Sequence, residues 1–473
     1  IATLFNQTVS SHVFPDDLKK ANVTPIYKKK DNLDKTNYRP VSVLPVVSKL
    51  YEGFMAEQLS EYFEDLFSIM ISAFRKYYNC QHVLVDLIEE WRQQLDTKKH
   101  VGAVMMDLSK AFDCIPHDLL LAKLRAYGLS GGALDLLSSY LSCRQQRVKI
   151  GSTVGLWEHI INGVPQGSIL GPILFNIFMN DIYDSIKSAN LKNYADDNTL
   201  TASDPDIENL RKTLATACAE AIDWFHKNFM QANPEKFHCI FLAPNRKPVN
   251  TSLDLDYISI VSEPHVDLLG VTIDDRLSFD NHVSKLSKKA GKQLNALRRI
   301  GSFLSESTRL KVFRTFVLAN FNYCPLVWHF CGAQNSKKLE KIQLRGLRFV
   351  FRDFKSDHDT LLNKAGINTL HLNRLRCLAT EVYKCINNLS PSYMKDVFRL
   401  RQSNYNLRSK ENIALEYPTI HTQFFGKHSL RSLAPRIWND LPADCRKAVS
   451  LNNFKKLINT WQGVKCKCAL CNL

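Results

Sequence analysis

The stretch Leu191-Lys192-Asn193-Tyr194-Ala195-Asp196-Asp197-Asn198-Thr199-Leu200-Thr201-Ala202 places two adjacent carboxylates between two short runs of strand character. Residues 191–195 and 199–202 read as strands, with Asp196-Asp197-Asn198 as the tip of the hairpin that joins them. Turn chemistry alone accounts for many Asp-Asp pairs, because Asp hydrogen-bonds its own backbone. A third acid gives the pair more weight. The apolar run at 101–106 stops abruptly at Asp107, as a buried strand would that delivers an acid at its C-terminal end. Two strand systems meeting in one sheet would bring Asp107, Asp196 and Asp197 together. Carboxylates that close repel and raise one another's pKa. A divalent cation removes the conflict, and Mg²⁺ prefers a few carboxylates plus substrate phosphates to a full protein cage. Two such ions about 3.5–4 Å apart can activate a hydroxyl and stabilise a leaving oxygen in phosphoryl transfer.

Around the acids, helices and strands do not simply alternate. Residues 116–129 and 133–141 read as helices separated by Gly131-Gly132, and 148–161 has hairpin character with Gly151 and Gly155 as punctuation. Residues 173–186 form a helix rich in Ile, Leu and Phe. Ser203 or Asp204 is expected to cap the next helix, with Pro205 in its first turn. Ile207, Leu210, Leu214, Ala221 and Phe225 mark that helix's buried side. Residues 237–242 and 266–273 read as single strands. This order predicts an α+β fold with helices on one face of the sheet, not a doubly wound one.

Asp107-Leu108-Ser109-Lys110-Ala111-Phe112-Asp113, then Gly163-Val164-Pro165-Gln166-Gly167-Ser168-Ile169-Leu170-Gly171-Pro172, then Tyr194-Ala195-Asp196-Asp197 resemble motifs A, B and C of reverse transcriptases, in the right order. Asn37-Tyr38-Arg39-Pro40-Val41-Ser42 resembles the motif that precedes them. Ala232-Asn233-Pro234-Glu235-Lys236 resembles motif D, and Leu268-Leu269-Gly270-Val271-Thr272-Ile273-Asp274 the primer-grip motif E. The variants are similar to those of LINE-type, non-LTR retrotransposons, and the likeness runs from about Phe14 to Phe354. Any one motif is weak; the ordered set is specific. It implies a right-hand polymerase: fingers and palm with an antiparallel palm sheet over 1–275, a helical thumb over 276–355, and a mainly helical C-terminal extension over 356–473.

The resemblance implies RNA-directed DNA synthesis and gives each residue a part. Asp107, Asp196 and Asp197, with the Leu108 carbonyl, would hold two Mg²⁺ ions, with Mn²⁺ as the alternative. Phe112 matches the aromatic gate that excludes a 2′-hydroxyl; a core aromatic is the plain alternative. Gln166 matches the motif B glutamine near the incoming dNTP, and Tyr194 lies beside the acids. Arg75 in Ala73-Phe74-Arg75 matches a fingers arginine that contacts the triphosphate, although the family usually has Gly where Ala73 stands. Arg39 is a further fingers candidate, with a surface ion pair as the equal reading. Lys236 would protonate the departing pyrophosphate as general acid. RNA-dependent RNA polymerisation and a catalytically inactive nucleic-acid-binding relic are the alternative functions.

The charge pattern agrees with a polyanionic partner. The 473 residues carry 62 Lys and Arg against 46 Asp and Glu, a net charge of +16. Residues 280–355 alone hold 16 basic and 4 acidic residues, three quarters of that imbalance. They read as amphipathic helices: Val283, Leu286, Ala290, Leu294 and Leu297 on one side, Lys285, Lys288, Lys289 and Lys292 on another. Leu310, Phe313, Phe316 and Val317 continue the apolar pattern, as do Leu339, Ile342, Leu347 and Val350 beside Lys341, Arg345 and Arg348. A solvated charged face and a membrane-surface helix are the competing readings. RNA template, DNA primer or target and dNTPs are the implied partners.

A hydrophobic share of 45% and a charged share of 23% exclude a disordered chain. No run approaches the roughly 20 apolar residues of a membrane helix, and no signal peptide opens the chain. Thirteen unevenly spaced cysteines suggest reduced thiols in a cytosolic or nuclear protein, and the resemblance implies a nuclear or cytoplasmic ribonucleoprotein. Residue 1 is Ile, so the chain is expected to be a fragment. LINE-type elements typically carry a target-nicking endonuclease, which is expected in the missing N-terminal region. Leu361, Leu362, Leu370, Leu372, Leu375 and Leu378 suggest a small helical core in the extension, and 429–442 around Trp438 reads as turn-rich. Cys466, Cys468 and Cys471 have the wrong spacing for a four-ligand zinc site.

Overall fold

The computed structural model describes residues 2–28, 31–255, 258–401 and 414–463. Its central sheet is antiparallel throughout, in the order His238–Leu242, His100–Ser109, Asp197–Asp204, Asn190–Tyr194. A short strand, Gln231–Ala232, pairs with the far end of the His100–Ser109 strand. Side chains along that strand alternate between two cores. Val101, Ala103 and Met105 meet Leu84, Leu87, Ile88, Trp91 and Leu95 of the Cys80–Asp96 helix. Val104, Met106 and Leu108 pack with the Ile207–Lys227 and Leu170–Met179 helices. Helices thus cover both faces, not one. The reason lies in the run itself: 101–106 is apolar at every position, which only a doubly buried strand requires.

A second sheet joins Tyr38–Val43, Lys20–Tyr27 and Gln145–Ile150, the last pair parallel. The 266–273 segment is a hairpin, His265–Leu268 with Val271–Asp274, and not one strand. Its two turn residues, Leu269 and Gly270, have φ of 45° and 76°, the geometry of a type I′ turn. The helix after the acids starts later than expected, at Ile207. Asp206 is its cap, accepting from the Glu208 and Asn209 N–H groups, so Pro205 lies ahead of the helix.

The basic segment is helical, Asp280–Ile300, Glu306–Val312 and Ala333–Phe351. Phe316 departs from its expected place and is exposed, while Phe313 and Val317 are buried. Residues Phe313–Val317 form a π-turn, whose wider winding rotates the i+3 position off the buried face. Ring and backbone are tightly fitted here: a Cβ on Gly346 would lie 2.0 Å from the Phe313 ring.

The region beyond 356 shares a core with the basic helices of 280–351 and the Cys80–Asp96 helix. Leu361, Leu362, Leu370, Leu375 and Leu378 are buried in it. Polar contacts fix the same seam. His82 Nε2 lies 2.8 Å from Glu381 Oε2. Glu89 accepts from the Leu430 and Arg431 N–H groups, both at 3.0 Å. Asp96 accepts from the Thr422 N–H at 2.7 Å and its hydroxyl at 2.6 Å. Leu430–Asp440 is a helix with Pro435 inside it, where the prolines suggested turns. Ser429 caps its first turn, Glu89 satisfies two of its free N–H groups, and buried Trp438 anchors it. The ten described cysteines are all free. Cys466, Cys468 and Cys471 lie outside the described residues. No described helix is long and apolar enough to cross a membrane.

Candidate active site

The sheet register sets the acids. Asp107 and Asp197 stand directly opposite one another, and Tyr194 is the partner of Asp197 on its other side. Asp196 occupies the two-residue turn between those strands. Burial, then Asp196 and then Asp107, push the Asp197 carboxyl up to about 6. None of the three is in an ion pair among the described residues. Among the described residues, no group of three His, Cys, Asp or Glu side chains could by itself hold a metal ion. Adjacent acids with uncompensated charge and open coordination suit a cation that completes its shell with substrate phosphates and water. Leu108, next to exposed Asp107 on the strand, is itself a core residue.

Two loops, around Phe112 and around Gln166, meet one another. Phe112 is stacked on Phe175 with ring centroids 4.3 Å apart, and meets the edge of exposed Phe74 at 6.2 Å. It is half-buried, so core packing and a presented ring edge coexist. Gln166 donates both ways to the Asp113 carboxylate, at 3.0 and 3.1 Å. Burial raises the Asp113 pKa against that bond and Lys110. The Val164 N–H donates to the Phe112 carbonyl and the Ser42 N–H to the Gln166 carbonyl. Gly167 has φ of 126°, and a Cβ there would lie 2.5 Å from the Ser42 carbonyl oxygen.

Arg75 is not presented to the site. Its guanidinium bonds Glu64 at 2.8 Å and the carbonyls of Ser68 and Ile71 at 2.9 and 3.0 Å. It also lies over the Tyr78 and Phe67 rings, and its side chain is 5% exposed. A guanidinium so occupied holds the 70–78 loop and has no face left for an anion. Arg39 is exposed opposite Ile26 on the second sheet and is in no ion pair among the described residues. Tyr194 is half-buried, and burial and its Cys80 neighbour push its phenol up. Lys236 is exposed, ending the 3₁₀ turn Pro234–Lys236 just after the strand that pairs with Leu108.

A family model described as reverse transcriptase (RNA-dependent DNA polymerase) matches residues 26–273, more than half of the chain. The chain belongs to the reverse transcriptase family. A probable RNA-directed DNA polymerase from transposon BS of Drosophila melanogaster is 25% identical over 364 residues, covering 74% of this chain and 40% of that protein. The corresponding X-element protein of the same species is 25% identical over 362 residues, covering 74% and 39%. This reverse transcriptase is thus related to the polymerases of non-LTR retrotransposons, and spans about two fifths of those relatives' length. A Candida albicans telomerase structure aligns over 78% of this chain and 70% of its own, at 14% identity and a TM-score of 0.43.

The basic residues on the Asp280–Ile300 and Ala333–Phe351 helices divide into two groups. Lys285 is bonded to Asp267 at 2.8 and 2.9 Å, which ties the helix to the 265–274 hairpin. Lys288, Lys292 and Arg345 line a groove of about 330 Å³ with Ser287, Asn295 and Ile342 and no acid. Lys289 and Lys341 lie on the same two helices but do not line it. Sequence reading missed two residues of the site. Asp113, inside the motif A stretch, is the partner of Gln166; its spacing gave no sign of the contact. Glu52 is fully buried and accepts from the Ile169 N–H at 2.6 Å, holding the start of the helix after motif B. Its place on a helix face with Tyr51, Met55, Leu59 and Phe63, one turn after Ser48, was the available signal.

Proposed function

We propose that this reverse transcriptase copies an RNA template into DNA, joining a dNTP to a primer 3′-hydroxyl with release of pyrophosphate. The observation that carries the reading is the juxtaposition of Asp107 and Asp197 on neighbouring strands with Asp196 at the adjoining turn. These acids and the Leu108 carbonyl would hold divalent ions, Mg²⁺ or Mn²⁺. Such ions, when bound, favour ionisation of the attacking hydroxyl and neutralise charge on the triphosphate.

The chain's own residues supply alignment. Phe112, backed by Phe175, presents a ring edge that a 2′-hydroxyl would strike, which favours deoxynucleotides. Gln166, held by Asp113, shapes the wall beside the nucleotide. Arg39 offers an unpaired guanidinium on the fingers sheet, and Lys236 an exposed ammonium that can give a proton to the leaving pyrophosphate. The groove between the thumb helices takes the phosphates of the duplex, with little sequence reading.

The test is primer extension on an RNA template with Mg²⁺ and dNTPs, comparing the wild type with Asp196→Asn. Extension by the wild type alone is expected. Equal extension by both would remove the site assignment. No extension by either, with RNA binding retained, would favour the inactive binding relic.

A further inference from the structure

The turn that carries Asp196 is strained, and two buried amides lie behind it. Ala195 has φ of 56°, in the left-handed region that disfavours a residue with a Cβ. A two-residue turn bent this way at its first position ordinarily takes Gly. Asn193 and Asn198 are direct cross-strand partners, one pair removed from Tyr194 and Asp197. Each is 1% exposed. Asn193 Nδ2 donates to the Ala195 carbonyl at 2.8 Å and to Asn198 Oδ1 at 2.8 Å. Asn198 Nδ2 donates to the Asp196 carbonyl at 3.1 Å. Both turn carbonyls are therefore held by amides that also hold each other.

The pair is anchored in its turn. The Asn193 N–H donates to the Met70 carbonyl at 3.3 Å, and its own carbonyl accepts from the Ser72 N–H at 3.1 Å. Strand alternation puts Asn193 and Asn198 on the face opposite Tyr194 and Asp197. They grip the backbone from behind and leave the carboxylate face clear. Amides buried in a core strand cost free energy unless they hydrogen-bond, and an apolar pair would serve packing equally well.

We propose that Asn193 and Asn198 are positioning residues for the acids. Their amides lock the 195–196 turn, fix the place of the Asp196 carboxylate relative to Asp107 and Asp197, and so set the site's affinity for its divalent cation. This rests on the reading of the three acids as cation ligands.

The test is Mn²⁺ binding, followed by the electron paramagnetic resonance of free Mn²⁺, with thermal unfolding measured in parallel. Asn198→Ala is expected to weaken Mn²⁺ binding about tenfold, the scale on which residues behind a metal's ligands act. The Mg²⁺ concentration for half-maximal extension should rise alongside. Trp91→Phe is the structural control. It removes the 2.8 Å bond from Trp91 Nε1 to Thr201 on the other face of the same sheet. It should lower the melting temperature and leave Mn²⁺ binding unchanged. Should Asn198→Ala not fold, Asn193→Ser carries the test, because it shortens the side chain that spans both carbonyl partners. Unchanged Mn²⁺ affinity in a folded Asn variant, with Asp196→Asn defective, would overturn the positioning role alone. Equal Mn²⁺ binding by the wild type and Asp196→Asn would instead overturn the metal-site reading beneath it.

Discussion

Asp107 and Asp197 are direct cross-strand partners, with Tyr194 completing the row on the far side of Asp197. Like charges in such a pair destabilise a sheet by roughly 0.2–1 kcal/mol. Asp197→Asn should therefore make the chain more stable by up to about 1 kcal/mol in EDTA. The same change should lower extension roughly 10³-fold or more. Added Mg²⁺ should raise the wild-type melting temperature and leave the variant's unmoved; a matching rise in both would contradict a site built on these acids.

Phe112 is backed by Phe175 at 4.3 Å, so its ring cannot retreat from a bulkier sugar. Phe112→Val should raise ribonucleotide incorporation relative to deoxynucleotide by roughly 10- to 100-fold, the value of about 1–3 kcal/mol of steric discrimination. Single-nucleotide extension with dNTP and rNTP in competition reads the ratio. An unchanged ratio would reduce Phe112 to a core aromatic.

Gly167 combines a φ of 126° with a backbone approach that admits no Cβ. Gly167→Ala should cost on the order of 2–4 kcal/mol where it is accommodated at all. Because the same loop carries Gln166, extension should fall further than stability does. Urea denaturation and extension, measured on one preparation, separate the two effects.

His282 sits at the base of the first thumb helix, with the Thr272 N–H donating to its Nδ1 at 3.3 Å. Burial, and secondarily Lys285, push its pKa down from 6.5 to about 4. As pH falls through 6.5 the unfolded chain takes up a proton that the folded chain refuses. Stability should thus be full above 6.5 and decline between about 6.5 and 4, by up to about 3 kcal/mol. Urea unfolding across that range should show a flatter profile for His282→Gln; parallel profiles would assign the acid loss elsewhere.

The thumb lysines should part company in salt. Neutralising Lys288, Lys292 or Arg345 should cut the slope of log affinity against log salt by about 0.7–0.9 each. Lys285→Ala should mainly loosen the contact with Asp267 and change the slope less. Fluorescence anisotropy with an RNA–DNA duplex at several salt concentrations distinguishes them.

The acids were legible because hairpin, strand end and motif order are local patterns that the fold preserves. The thumb helices were legible for the same reason, down to the buried row of Val283, Ala290, Leu294 and Leu297. Phe316 was not, because a π-turn changes the period that the reading assumes. Arg75 was misplaced because a motif names a residue and not its rotamer, and Glu64 lies outside the motif. The attachment of the extension to the Cys80–Asp96 helix rests on contacts about 300 residues or more apart in sequence. No local pattern carries those.

One helix, Cys80–Asp96, backs the sheet of Asp107 on one side and receives residues 381, 422, 430 and 431 on the other. A ribosome moving along the message makes this helix more than 300 residues before its cover. Until the stretch around Leu430 has emerged, Glu89 and Asp96 lack their partners and the apolar seam is open to water. The sheet's backing is complete only once residues 422–431 have been made. A message broken between 274 and 430 yields a chain that holds every motif and still presents an open seam to the cell's quality control.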